Sequence, residues 1–202
     1  MVKPSAGLLA YAQKQVRDSC DVKRKLMPAL LPRLCSLAKR TSEALLDGHC
    51  VFFCGNGGSA ADAQHLAAEF VGRFRLERQP LPSIALTTNS SLLTAIANDY
   101  GYEQVFSRQI RAFAKRDDIL FGISTSGSSP NVVRAMQEAR TLGVYTVGLT
   151  GRSGGGLKEC ADVLLNVPSD QTPRIQESHI LLGHIYCDLV ERLYLGSSGS
   201  RA

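Results

Sequence analysis

His65 and Glu69 stand four residues apart in a segment of helical spacing, so an imidazole and a carboxylate share one helix face. These are residue types that move protons near neutral pH. The segment opens on Gly55-Asn56-Gly57-Gly58-Ser59 and follows the short apolar run Val51–Cys54. A run this brief, flanked by glycine, reads as a buried strand and not a helix. The glycines tolerate positive φ and let a ligand approach the backbone, and Ser59 is the expected N-cap of the helix that carries His65. Free amides and the positive end of the helix dipole suit an oxyanion or a phosphate here.

A second strand–turn–helix echoes the first. Leu120–Ile123 leads into Ser124-Thr125-Ser126-Gly127-Ser128-Ser129-Pro130, where Ser129 is a good N-cap and Pro130 a good first helical residue. Five hydroxyls in the six residues 124–129 exceed what a turn needs and point to phosphate binding without a lysine. Gly55 to Ala60 also fits a dinucleotide fingerprint, but the next strand ends Leu86-Thr87-Thr88-Asn89, with no acid to hold a ribose. A Walker-type loop is excluded, because no Gly-Lys-Ser/Thr occurs.

The last helical segment offers partners: Gln176, Glu177, His179 and His184. A His and a Glu with a further His make a plausible zinc set. Gln176 and His184 are eight residues apart, about 12 Å along a straight helix. That is a long reach for one site, and His179 remains a rival. Asn98-Asp99, ahead of Tyr100-Gly101, reads as a helix end and turn.

The elements that position these residues alternate. Strands are expected at about 50–54, 83–88, 118–124, 144–149 and 162–167, and helices at about 59–73, 90–98, 102–115, 129–142, 155–160 and 173–195. That order predicts an α/β, three-layer, doubly wound fold with a five-stranded, mostly parallel sheet flanked by helices. Residues 1–48 add N-terminal helices with Pro28 and Pro32 at a start or kink, and residues 196–202 read as a frayed tail. Length and composition, 202 residues with 44% apolar and 20% charged, fit one domain.

No apolar run is long enough to cross a bilayer, and no secretory signal opens the chain. The six cysteines form no C-x-x-C pair, so reduced thiols in a cytoplasm are expected. The net charge of +5 is concentrated in residues 1–40, with nine Lys/Arg against Asp18 and Asp21. No aromatics interleave with these bases, so a solvated helical face is preferred over a nucleic-acid surface.

Taken together, Gly55-Asn-Gly-Gly-Ser-Ala-Ala-Asp-Ala-Gln-His65…Glu69, Ala97-Asn-Asp99, Ile123-Ser-Thr-Ser-Gly127 and Arg174-Ile-Gln-Glu-x-His179…His184 resemble the SIS-domain phosphoheptose isomerase family, from about residue 5 to 195. The resemblance implies a single SIS domain that interconverts sedoheptulose 7-phosphate and glycero-manno-heptose 7-phosphate for heptose precursor biosynthesis. It implies substrate contacts at Asn56, Gly57 and Gly58, with Ser59 beside them, and at Asn98 and Asp99. Further contacts follow at Ser124, Thr125, Ser126 and Ser129, and at Glu69 and Gln176. It implies a zinc ion on His65, Glu69, Gln176 and His184, with Glu69 as base and His184 as acid, in a homotetramer with sites built between subunits. No nucleic-acid or membrane partner is implied.

Within the family, two differences bear on this chain. Some members carry an Asp where this chain has Thr172, which leaves a sugar contact to Asp170 or Thr172. A non-catalytic relative that binds the replication initiator DnaA is similar along most of its length but lacks the Glu and the second His. The same motifs would also suit an isomerase of a different sugar phosphate, or a sugar-phosphate sensor. The sensor is disfavoured because no DNA-binding module of sufficient length precedes residue 50.

Overall fold

A computed structural model describes residues 5–198. Strands β1 (Val51–Gly55), β2 (Ser83–Ala85), β3 (Ile119–Ile123), β4 (Tyr145–Thr150) and β5 (Val163–Asn166) form one sheet in the order β2-β1-β3-β4-β5. All four pairings are parallel. The helices are α1 (Ala6–Leu46), α2 (Gly58–Val71), α3 (Ser90–Tyr100), α4 (Ser107–Phe113), α5 (Pro130–Thr141) and α6 (Thr172–Ser198).

Both faces of the sheet are covered, as a parallel sheet requires. Alternate side chains of one strand enter opposite cores. Val51 and Phe53 pack with Leu34, Leu66, Phe70 and Tyr186 from α1, α2 and α6. Phe52 and Cys54 pack with Ile96, Ile110, Val132 and Met136 from α3, α4 and α5. The expected three-layer doubly wound architecture is therefore what the chain adopts.

Several local expectations are corrected. The N-terminal segment is one helix of 41 residues, not two, and it runs through Pro28 and Pro32 without a break. The two prolines are exposed and one turn apart, so the carbonyls they leave unbonded lie on the solvent side. Leu26, Leu30, Leu34 and Leu37 are buried on the other side, and that packing outweighs the propensity cost. Residues 102–115 divide into a 3-10 turn, Tyr102–Gln104, and α4, because Val105 and Phe106 turn into the core between them. The helix expected at 155–160 is a 3-10 turn, Gly155–Glu159. Residues 196–198, assigned to a frayed tail, belong to α6, and the rest of that tail lies outside the described residues.

Between α2 and β2 the chain has no regular structure, and one buried ion pair takes its place. Arg78 and Glu191 have side chains 2% and 1% exposed. The Glu191 carboxylate accepts the N–H groups of Phe74, Arg75 and Leu76 at 3.0, 2.8 and 2.8 Å and Arg78 Nε at 3.1 Å. Arg78 in turn donates to the carbonyls of Glu69, Phe70 and Gln79 at 2.8, 2.9 and 3.0 Å, closing the C-terminus of α2. Burial acts to raise the Glu191 pKa, but the three N–H donors and the guanidinium outweigh it and hold the value below that of an ordinary glutamate. Arg78→Met strands that charge and is expected to cost about 3–5 kcal/mol in urea unfolding at neutral pH.

Candidate active site

β1 and β3 are neighbours in the sheet, yet the helices that follow them, α2 and α5, lie on opposite faces. This is a topological switch point, where an open parallel sheet leaves a crevice at the carboxyl ends of its strands. The glycine turn after β1 and the serine turn after β3 line that crevice.

The glycine turn is made tight by the absence of side chains. Gly57 has φ of 55° and caps α2, so the helix begins at Gly58 and Ser59 falls inside its first turn. The expectation that Ser59 is the N-cap is thereby corrected, and Ser59 is buried. A Cβ on Gly55 would stand 2.7 Å from the Ser59 carbonyl oxygen, and one on Gly58 would stand 2.6 Å from Gln176 Nε2.

The serine turn is equally constrained. Ser129 is the N-cap of α5 and Pro130 its first residue, as expected. Its hydroxyl, however, lies 2.9 Å from Ser124 Oγ and makes no bond to the helix amides. Ser126 Oγ lies 3.4 Å from Ser124 Oγ and accepts from Ser128 N at 3.2 Å. Gly127 has φ of 69°, and a Cβ there would stand 2.1 Å from the Gly154 carbonyl oxygen. The backbone bonds Gly151 N to Thr125 O and Leu157 N to Gly127 O, both 2.9 Å, brace the turn from behind. By contrast, α1 and α3 are capped by the side chains of Ser5 and Asn89. Neither cap residue at the crevice bonds the helix amides through its side chain, although Asn131 Oδ1 accepts the Val132 N–H in the first turn of α5.

Two turns up α2, the chemical groups converge. His65 Nε2 lies 3.0 Å from Glu69 Oε1 and 3.2 Å from His184 Nε2. One ligand atom from each of the three residues falls within 4.8 Å of the others. α6 runs beside α2, with the His65 and His184 ring centroids 4.9 Å apart, and the Phe74 ring beyond α2 lies 5.6 Å from that of His184. Asp62, one turn below His65, has one carboxylate oxygen buried without a hydrogen-bond partner, and burial raises its pKa against the lowering effect of His65.

The SIS domain family model matches residues 17–151 of the chain. The phosphoheptose isomerase of Roseiflexus sp. strain RS-1 is 51% identical over 95% of this chain and 98% of its own. Structures of phosphoheptose isomerases from Neisseria gonorrhoeae and Francisella tularensis superpose with TM-scores of 0.86 and 0.88 at 42% and 39% identity. They are matched over 92% and 91% of this chain and 99% and 98% of theirs. The chain belongs to the SIS-domain phosphoheptose isomerase family.

For a family member, three placements stand out. His184, not His179, meets His65. His179 is fully buried, and its Nε2 lies 3.1 Å from the Thr150 carbonyl at the end of β4. Gln176 lies against Gly58, seven residues and about 10 Å along α2 from His65. Asn98 and Asp99 are exposed in the last turn of α3 and bond to each other at 2.8 Å. The residue of that stretch which reaches the glycine turn is Tyr102, whose hydroxyl donates to Asn56 Oδ1 at 3.2 Å.

Of the two candidate sugar contacts, Asp170 is ion-paired with Arg152 at 3.0 Å. Thr172 lines the same cavity of about 250 Å³ as Thr125 and Ser126. Sequence reading missed Asn131, which is buried and exchanges two hydrogen bonds with Asn56. Its signal was a polar side chain on the helix face that also carries Val132, Ala135 and Ala139.

Burial lowers the His179 pKa from the ordinary 6.5 to about 4, against the raising effect of its bond to Thr150. The unfolded chain binds a proton that the folded chain refuses between these values, so stability is full above pH 6.5 and falls toward pH 4. The loss from this residue is expected to be about 3 kcal/mol, and His179→Gln should flatten the pH dependence of urea unfolding over that window.

Proposed function

We propose that this chain isomerises D-sedoheptulose 7-phosphate to D-glycero-D-manno-heptose 7-phosphate, an aldose–ketose conversion that supplies a heptose precursor. The convergence of His65, Glu69 and His184 two turns above the N-terminus of α2 carries the reading, because an imidazole and a carboxylate on the helix that opens at the glycine turn suit proton transfer on a bound sugar phosphate. The phosphate is held by Ser124, Thr125, Ser126 and Ser129 and the amides of α5. Asn56, Gly57, Gly58, Ser59 and Gln176 hold the sugar along α2, with Asn98 and Asp99 at the edge.

Glu69 removes a proton from C1 of the ketose, and the electron pair moves to the C2 carbonyl oxygen, which takes a proton from His184. The resulting enediol is shared by both sugars. Return of the carbon-bound proton to C2, with loss of the O1 proton to the imidazole, leaves the C1 aldehyde. Every atom of the ketose is retained.

The histidine–carboxylate set fits a zinc ion. Ligands 2.0–2.2 Å from a tetrahedral centre stand about 3.3 Å apart, close to the 3.0 and 3.2 Å separations from His65 Nε2. Two imidazole nitrogens that face each other also leave a lone pair to share with a cation. His65, Glu69 and His184 would each give the ion one atom, leaving the second oxygen of Glu69 and the second ring nitrogen of His184 for the proton transfers, and the ion when bound would polarise the carbonyl. Gln176, seated at Gly58 about 10 Å along α2 from His65, is the fourth ligand that the family resemblance implies.

The proposed assembly is a homotetramer. The projecting end of α1 exposes Leu8, Leu9, Tyr11 and Val16, and the edge strand β2 exposes Ile84. Such a surface suits burial against another subunit. No helix of the described residues is long and apolar enough to cross a membrane, and the six cysteines are free, in keeping with a cytoplasmic enzyme of one SIS domain.

Three measurements test these assignments. Glu69→Gln is expected to keep the melting temperature and lose about 10²–10⁴-fold in turnover of sedoheptulose 7-phosphate; an active variant overturns its role as base. A chelator should abolish turnover and zinc restore it. Leu9→Glu with Val16→Glu should shift the light-scattering mass below that of a tetramer and lower turnover with it.

A further inference from the structure

Asn56 and Asn131 face each other across the crevice, one from the glycine turn and one from the first turn of α5. Asn56 Nδ2 donates to Asn131 Oδ1 at 2.9 Å, and Asn131 Nδ2 donates to Asn56 Oδ1 at 2.8 Å. An isolated amide pair of this kind is ambiguous, since both groups can flip together. A third bond removes the ambiguity. The backbone N–H of Val132 donates to Asn131 Oδ1 at 3.0 Å, and a backbone N–H has no lone pair to offer in exchange. The atom of Asn131 at that position must be oxygen, so the Asn56 atom facing it must be nitrogen.

The Tyr102 hydroxyl adds a second donor to Asn56 Oδ1, at 3.2 Å. The Asn56 oxygen is then filled by two donors, and one of its two amide hydrogens is committed to Asn131. What remains is one N–H on a half-buried side chain beside the open end of α2.

We propose that Asn131 and Tyr102 are positioning residues that lock the Asn56 amide in one orientation, so that Asn56 offers the substrate one N–H donor and no acceptor. The inference rests on the crevice as a sugar-phosphate site and assigns Asn56 a polarity within it. Asn56 binds a lone pair on a substrate sugar oxygen and does not accept a hydroxyl hydrogen. Because Asn131 belongs to α5 and Asn56 to the turn before α2, the same bonds keep the sugar end and the phosphate end of the site in register.

The test compares two ligands and one ligand-free measurement. Calorimetry is expected to show sedoheptulose 7-phosphate binding weakened about tenfold in Asn131→Ala and about threefold in Tyr102→Phe. Inorganic phosphate, held by the serine turn and the amides of α5, should bind Tyr102→Phe as it binds the parent, and the comparison of the two ligands is made on that variant because Asn131→Ala also frees the Val132 N–H. Parallel weakening of both ligands, or of neither, overturns the proposal. Tyr102 is exposed, so Tyr102→Phe keeps the fold. In the free enzyme, the two Asn56 carboxamide protons should exchange with water at unequal rates by NMR, and Asn131→Ala should bring the rates together. Equal rates in the parent overturn the locked amide even without ligand. If the parent neither binds nor turns over the heptose phosphate, the isomerase reading falls while the exchange rates still decide the state of Asn56.

Discussion

The site depends on how closely α6 can lie against α2. A Cβ on Gly183 would stand 2.6 Å from Leu66 Cδ2, and one on Gly58 would stand 2.6 Å from Gln176 Nε2. Both glycines remove the side chain that would hold the helices apart. His184 follows Gly183 and His65 precedes Leu66, so the contact that seats the backbone also brings the two imidazoles together, with ring centroids 4.9 Å apart. Close packing transmits such constraints because an interior has few voids to absorb a shift.

Around that contact, the sheet topology supplies the anion end of the site. Neighbouring strands β1 and β3 send their helices to opposite faces, which opens the crevice and brings two helix N-termini to its rim. Under the proposed function, phosphate recognition there needs no lysine. The helix dipoles supply positive potential, and the two turns carry amides and serine hydroxyls of a kind suited to an anion. The hydroxyls of Ser124 and Ser129 are bonded to each other, which holds them in place while leaving the helix end open.

The long α1 shows how strongly packing governs this chain. Two prolines in a helix interior each remove a bond, yet the helix continues because its buried leucines lie on the opposite side. Arg78 and Glu191 do the reverse. They impose order on a segment with no ladder of its own, and each buried charge is surrounded by partners. Arg78 also holds the Glu69 carbonyl, so this pair fixes the turn of helix from which the carboxylate projects.

The order of elements, the parallel sheet and the two loop chemistries were legible in the sequence, because alternation of apolar runs and the glycine and serine turns are local signals. His65 and Glu69 on one face were equally legible, since a four-residue spacing needs only a helix. The structure placed the N-cap of α2 at Gly57 because a positive φ turns the chain before Ser59 is reached. It also separated His184 from His179: two positions on one helix differ in direction by a large part of a turn, and only the docking of α6 decides which direction faces α2. Asn131 stayed hidden for the same reason. The sequence by itself determined which groups exist and which lie near each other along the chain. Tertiary structure alone decided which distant groups meet, because that choice is made by the packing of helices on a sheet and is written in no single segment.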